Sequence, residues 1–170
     1  IECRLVGSEM CIRDRYVVVS ENLCSRIDEN TDIKEAAFTV LGSIALHGLR
    51  LSETSLGSKV VVVGLGVIGQ LVCRLAEAQG SEVIGIDPDP ERSKYGDNFF
   101  TSADDVELKD VDSVIITAAT SSNEPIELAT KIARNKAKIV VIGDIPLNIS
   151  RNDFYYKELE LVVSKSYGPG

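Results

Sequence analysis

The sequence predicts an α/β fold, a doubly wound parallel sheet with helices on both faces. Three observations carry that expectation. Short, largely apolar runs recur at Val60–Val63, Val83–Ile86, Ser113–Ile116 and Lys138–Ile142, each the length of one buried strand. Amphipathic patterns lie between them. Ile68, Leu71, Val72, Leu75 and Ala76 share one helical face, and so do Ile126, Ala129, Ile132 and Ala133. The elements alternate as β-α-β-(α)-β-β-α-β-β, which favours parallel strands joined by crossovers.

Taken in order, the chain begins ambiguously. Leu5–Arg15 reads LVGSEMCIRDR and resembles a translated sequencing-library adapter, so residues 1–15 are set aside as an artefact. Met10, the only methionine, lies inside that stretch, and the natural chain is then expected to be longer. Tyr16–Val19 is β-branched and reads as a strand, and Asn22–Ile27 as a second. Asp32 followed by Glu35 is a capping box for a helix over Ile33–Arg50. Gly42 and Gly48 are expected to bend or split it, and Ala36, Ala37, Val40, Leu41, Ile44 and Ala45 to form its apolar face. Ser52–Ser58 is a polar link.

Lys59–Asp87 is the most informative stretch. The run Val60–Val63 breaks at Gly64-Leu65-Gly66-Val67-Ile68-Gly69, spaced G-x-G-x-x-G, and a helix follows. Gly80 ends that helix, where a left-handed residue is wanted. A second run, Val83–Ile86, closes on Asp87, eighteen residues after Gly69. Gly64 permits a tight turn, Gly66 lets a pyrophosphate approach the backbone, and Gly69 lets the helix pack closely. The helix N-terminus offers free N–H groups and partial positive charge to a phosphate. Asp87 stands where an acid binds ribose hydroxyls. The pattern points to dinucleotide binding on a Rossmann-type sheet.

Beyond Asp87, Pro90 opens a short helix Glu91–Lys94. Tyr95–Asp110 is irregular and acidic, with a short strand at Asn98–Thr101. Pro125–Arg134 is a helix, Lys138–Ile142 a strand ending at Gly143-Asp144, Phe154–Glu158 a short helix and Leu159–Val163 a last strand.

The net charge of −8 argues against nucleic acid or an anionic membrane as partner. No apolar run approaches the roughly 18 residues that span a bilayer. The four cysteines show no metal-ligand spacing, so a reduced, cytoplasmic setting is expected. Cys24 and Cys73 read as small packing residues. Tyr155, Tyr156 and Lys157 lack a Y-x-x-x-K spacing and read as structural.

The stretches Ala36–Arg50 (AAFTVLGSIALHGLR), Gly64–Gly80 (GLGVIGQLVCRLAEAQG) and Ile86–Arg92 (IDPDPER) resemble the medium-chain dehydrogenase/reductase superfamily. Ile116–Ala129 (ITAATSSNEPIELA), Val140–Asp144 (VVIGD) and Val163–Gly170 (VSKSYGPG) are similar to the zinc-dehydrogenase-like half of bi-domain oxidoreductases. The resemblance implies that residues 16–30 are the remnant of a GroES-like catalytic domain. Residues 31–165 would be the NAD(P)-binding Rossmann domain. Residues 166–170 would lead to a fused oxidoreductase domain beyond Gly170.

It also implies a cofactor site. Gly64, Gly66, Val67, Ile68 and Gly69 would form the pyrophosphate turn, and Asp87 would hold the adenosine ribose with Arg92 beside it. Thr117 and Ala118 would line the groove, and Gly143 and Ile145 would stand beside the nicotinamide. Zinc-dependent members place a ligand seven residues before His47, where this chain has Val40. A zinc site is therefore not supported, and His47 reads as a helix residue at a domain contact.

Asp87 favours NAD over NADP. A carboxylate repels a 2′-phosphate by about 4 kcal/mol at about 4 Å and an effective dielectric of 20. NADPH is expected to bind at least roughly tenfold more weakly. The expected function is the cofactor half of an oxidoreductase that moves a hydride between NAD and an alcohol or carbonyl, on a small molecule such as a sugar. A homo-oligomer is left open. The alternatives are a non-catalytic NAD-sensing module and an S-adenosylmethionine-dependent methyltransferase.

Overall fold

The computed structural model describes residues 20–168, and the chain divides into two units after Ala37. In the first, Glu21–Leu23 forms a single 3-10 turn and α1 (Ile33–Ala36) a single helical turn. Asn22–Ile27 is therefore not a strand. No strand among the described residues of that unit stands beside it, so its backbone groups have no ladder to join. The expected strand Tyr16–Val19 lies outside the described residues. Cys24 is exposed, which corrects its reading as a packing residue.

The second unit is one six-stranded sheet. Its elements are α2 (Thr39–Leu51), β1 (Lys59–Val63), α3 (Val67–Ala78), β2 (Glu82–Ile86), α4 (Pro90–Ser93), β3 (Phe99–Phe100) and β4 (Val111–Ile116). α5 (Glu124–Ile132), β5 (Ala133–Val141), α6 (Arg151–Lys157) and β6 (Glu160–Val163) complete it. The strand order is β3-β2-β1-β4-β5-β6 and every pairing is parallel. That is the order of a doubly wound dinucleotide-binding sheet, as the sequence predicts.

The apolar runs are continuous because both sheet faces are covered. Val60 and Val62 pack with Ala45 and Leu49 of α2 and Val72 and Ala76 of α3. Val61 and Val63 turn the other way, towards Ile126, Ala129 and Ile132 of α5. Each fully buried valine contributes about 1.5–3 kcal/mol. Cys73 lies in the first of these layers, and burial pushes its thiol up to about 12. Gly80, at φ +87°, closes α3. Its N–H and that of Ser81 return to the carbonyls of Glu77 and Ala76.

Several boundaries differ from the sequence reading: α6 begins at Arg151 rather than Phe154, β3 is only Phe99–Phe100, and α4, β4 and β6 shift by one or two residues. The helix expected over 33–50 breaks at Ala37-Phe38, not at its glycines. Gly42 continues α2, donating to the Phe38 carbonyl at 2.7 Å. Gly48 is buried, and a Cβ there would strike the Ile142 side chain. Both glycines sit inside the helix, and α2 buries Ala45, Gly48 and Leu49 while Ala37 and Val40 are exposed. The capping box forms only in part: the Asp32 carboxylate accepts from the Lys34 N–H at 2.8 Å. α5 stops at Ile132, two residues early, because Lys157 Nζ donates to the carbonyls of Thr130, Lys131 and Ala133 at 2.7, 3.0 and 2.8 Å. β5 consequently starts at Ala133 rather than Lys138.

Candidate functional site

The register places one edge of the sheet level. Val63 pairs with Ile86 and with Ile116, and Ile116 pairs with Val141. The next residues of each strand, among them Gly64, Asp87 and Thr117, therefore emerge together at the carboxyl ends. Ligands bind at that edge in open α/β sheets.

The turn after β1 is built around two close approaches. Gly64 has φ +98°, and a Cβ on it would lie 2.6 Å from the Ala118 nitrogen. Any larger residue would force β1 and β4 apart at their ends. A Cβ on Gly69 would strike the Gly64 carbonyl oxygen and stand 2.7 Å from Thr117 Oγ1. Gly66 is different: it is the N-cap of α3, with no atom within 4 Å of where its Cβ would be. Among the described residues, the N–H groups of Gly66, Val67 and Ile68 find no acceptor. Three free donors, an open approach and the positive end of a 12-residue helix suit a phosphate.

Asp87 is 3% exposed. Its Oδ2 accepts from the Leu65 N–H at 2.7 Å and its Oδ1 from the Asp89 N–H at 2.9 Å. Arg92 Nη1 lies 3.3 Å from Oδ2, while Arg92 Nε lies 3.4 Å from Asp89 Oδ2. One guanidinium is thus shared by two carboxylates, and the corner keeps a net negative charge.

A cleft of about 740 Å³ opens here, lined by Gly64, Gly66, Asp87, Arg92, Thr117 and Ala118. These six of the eleven predicted residues are brought together. Gly69 lies behind them as packing. Val67 is 51% exposed at the helix start, and Ile68 packs on the α2–α3 layer, so neither lines the cleft. Gly143 also stands behind. Its N–H donates to the Ile116 carbonyl at 3.0 Å, and a Cβ there would strike the Ala118 carbonyl oxygen. Ile145 packs against the core layer on the α5 side.

Sequence reasoning missed the far wall of the cleft. Thr101 and Ser102 follow β3, and Ser122, Glu124 and Leu128 come from the start of α5. One signal existed for the first group: Ser102 and Asp105 form a reciprocal capping box around a 3-10 turn, Ala103–Asp105. A hollow of about 450 Å³ at the opposite end of the sheet is lined by Lys131, Arg134 and Lys157, among others. Two of those cations are engaged, Arg134 with Asp112 at 2.6 Å and Lys157 with three carbonyls. Val40, at the expected zinc-ligand position, offers no donor atom and is 60% exposed. Among the described residues no group of three or more His, Cys, Asp or Glu could hold a metal ion. No described helix is long and apolar enough to cross a membrane.

The model of the D-isomer specific 2-hydroxyacid dehydrogenase NAD-binding domain matches residues 31–153. The chain belongs to this family of NAD-binding domains. The matched residues span the cleft and every strand from β1 to β5. The individual relatives carry the names of other dehydrogenases and reductases. A 2-dehydro-3-deoxy-L-galactonate 5-dehydrogenase of Pseudoalteromonas atlantica is 27% identical over 157 residues, 84% of this chain and 46% of that protein. D-xylulose reductase A of Aspergillus oryzae is 33% identical over 90 residues, 52% of this chain and 25% of that protein. A zinc-binding-dehydrogenase-type protein of Sinorhizobium meliloti 1021, solved with NADP bound, superposes with a TM-score of 0.71. It is 25% identical, over 81% of this chain and 46% of that one. The chain thus spans about half the length of such relatives, or less. Family and relatives agree on the nicotinamide-binding domain of a dehydrogenase, the coarser part of what the sequence resemblance implies.

Proposed function

We propose that the NAD-binding domain is the cofactor half of an oxidoreductase that moves a hydride between NAD and an alcohol or carbonyl group on a sugar-like small molecule. The observation that carries the reading is the unpartnered Gly66 N–H, at the open N-terminus of α3, facing the same cleft as the buried carboxylate of Asp87. The N–H groups of Gly66, Val67 and Ile68 would bind the pyrophosphate. Asp87 would accept from the adenosine ribose hydroxyls. Thr117 and Ala118 would form the floor beneath the cofactor, with Gly143 behind them and Ile145 on the nicotinamide side. Bound NAD supplies the hydride acceptor, and this chain's residues orient it and keep water from one face.

NAD is preferred to NADP in this reading, because Asp87 and Asp89 outnumber Arg92 at the ribose corner. Substrate acid–base groups belong to a catalytic region of which residues 16–30 would be the tail. The names of the relatives support a polyol, sugar-acid or sugar substrate. The likeness of Val163–Gly170 to bi-domain oxidoreductases supports a fused partner domain, and the composition supports a cytoplasmic setting. The test is competitive. The chain titrated with NADH should quench or enhance cofactor fluorescence saturably, and S-adenosylmethionine should not displace it. Displacement would favour the methyltransferase alternative. Full-length protein that binds NAD but oxidises no alcohol would favour a sensing module.

A further inference from the structure

Side chains from three separate elements grip two successive peptide groups of the glycine turn. The Gly64–Leu65 peptide is held at both ends. Its carbonyl accepts from the Thr117 hydroxyl at 2.5 Å, and its N–H donates to Asp87 Oδ2 at 2.7 Å. The next peptide, Leu65–Gly66, is held at its carbonyl by Gln70 Nε2 at 2.9 Å. A trans peptide is planar, so fixing the carbonyl fixes the N–H on the opposite side. The Gln70 amide therefore sets the direction of the Gly66 N–H, one of the three donors without an acceptor. The restraint matters because glycine populates both signs of φ readily, and a turn with glycine at 64 and 66 can flip its peptides cheaply.

We propose that Gln70 and Thr117 are positioning residues that hold these two peptides in the orientation that receives the pyrophosphate of a dinucleotide. Gln70 lies on the second turn of α3 and reaches back to the turn; it does not line the cleft. Thr117 arrives from the end of β4 and reaches the turn through its hydroxyl, whose single proton goes to the nearer carbonyl, Gly64 rather than Val63 at 3.4 Å. A turn ordered before binding spares the ligand the cost of ordering it. The inference rests on the dinucleotide reading above and adds how the turn is kept ready for it.

The experiment compares NADH with adenosine, which lacks the pyrophosphate, on the full chain. Gln70→Met removes the amide donor at nearly constant length, and Thr117→Val removes the hydroxyl at constant shape. Each should weaken NADH roughly three- to tenfold, the share of one hydrogen bond. Adenosine, measured by displacement of NADH, should bind Gln70→Met, whose changed side chain lies outside the cleft, as it binds wild type. Thr117→Ser, which keeps the hydroxyl, should restore NADH affinity. Unchanged NADH affinity in both variants overturns the proposal while leaving the cofactor reading intact. Parallel loss of NADH and adenosine in Gln70→Met also overturns it, since that marks a general loosening of the cleft. Wild-type protein that fails to bind NADH at all removes the cofactor reading and this inference with it.

Discussion

Replacing Asp87 by asparagine changes the charge of the proposed ribose corner and little of its shape. The carboxylate is 3% exposed and holds the Leu65 N–H at 2.7 Å, a bond that an amide oxygen can keep. What is lost is the negative charge. Asp87, Asp89 and Arg92 together carry one net negative charge, with the guanidinium 3.3 and 3.4 Å from the two acids. At about 5 Å and an effective dielectric of 20, a unit of like charge costs roughly 3 kcal/mol. Half of Arg92 faces solvent, so screening reduces this to about 1.5 kcal/mol, or roughly tenfold in affinity. Wild type should therefore bind NADH at least about tenfold more tightly than NADPH. In Asp87→Asn the ribose bonds lose their charge-assisted share, about 1 kcal/mol, and NADH weakens about fivefold. NADPH should gain as the repulsion disappears. The ratio of the two dissociation constants should fall by more than about tenfold. Paired fluorescence titrations measure it, and a ratio within twofold of wild type would refute Asp87 as the ribose acid.

Three further outcomes follow from particular contacts. Gly69→Ala drives a Cβ into the Gly64 carbonyl oxygen, so the turn must shift; NADH binding should fall beyond detection. Thermal unfolding should fall by roughly 3–9 °C for an overpacking cost of about 1–3 kcal/mol. Lys157→Met removes three donor contacts at the end of α5, far from the cleft. It should cost about 2 kcal/mol in denaturant unfolding and leave NADH affinity unchanged. Asp112 joins β1 to β5 through the Lys59 N–H at 2.8 Å and Arg134 at 2.6 Å. Partial burial pushes its carboxyl up, but the Lys59 and Arg134 contacts outweigh that and hold it below the ordinary value. A depressed carboxylate stabilises above its unfolded pKa and loses that contribution as pH falls through the folded one. Asp112→Asn should therefore be less stable than wild type at neutral pH, with the gap closing in acid; a pH-independent gap would contradict the assignment.

The sheet was legible because its signals are local. Val60–Val63, the glycine spacing, the α3 periodicity and Asp87 lie within thirty residues, and each constrains the next. The break at Ala37-Phe38 was not legible, since Gly42 and Gly48 are weaker helix formers than either residue there. Packing decided otherwise: Gly48 is required where Ile142 crosses the helix. The end of α5 depended on Lys157, twenty-five residues further on, which no periodicity reveals. The near wall of the cleft came from motif residues, whereas Thr101, Ser122 and Leu128 reach it only through tertiary placement. Gln70 was hidden for a similar reason: its role is a side-chain reach backward to Leu65, not a helical face.

In the proposed site the open N-terminus of α3 and the acid at the end of β2 together receive a nicotinamide dinucleotide. Isothermal titration of the chain with NADH, NADPH and S-adenosylmethionine tests it most directly. One NADH site per chain is expected, with NADPH weaker by at least about tenfold and no heat from S-adenosylmethionine. Equal affinities for NADH and NADPH would contradict the role given to Asp87, and the absence of any dinucleotide binding would contradict the proposed site itself.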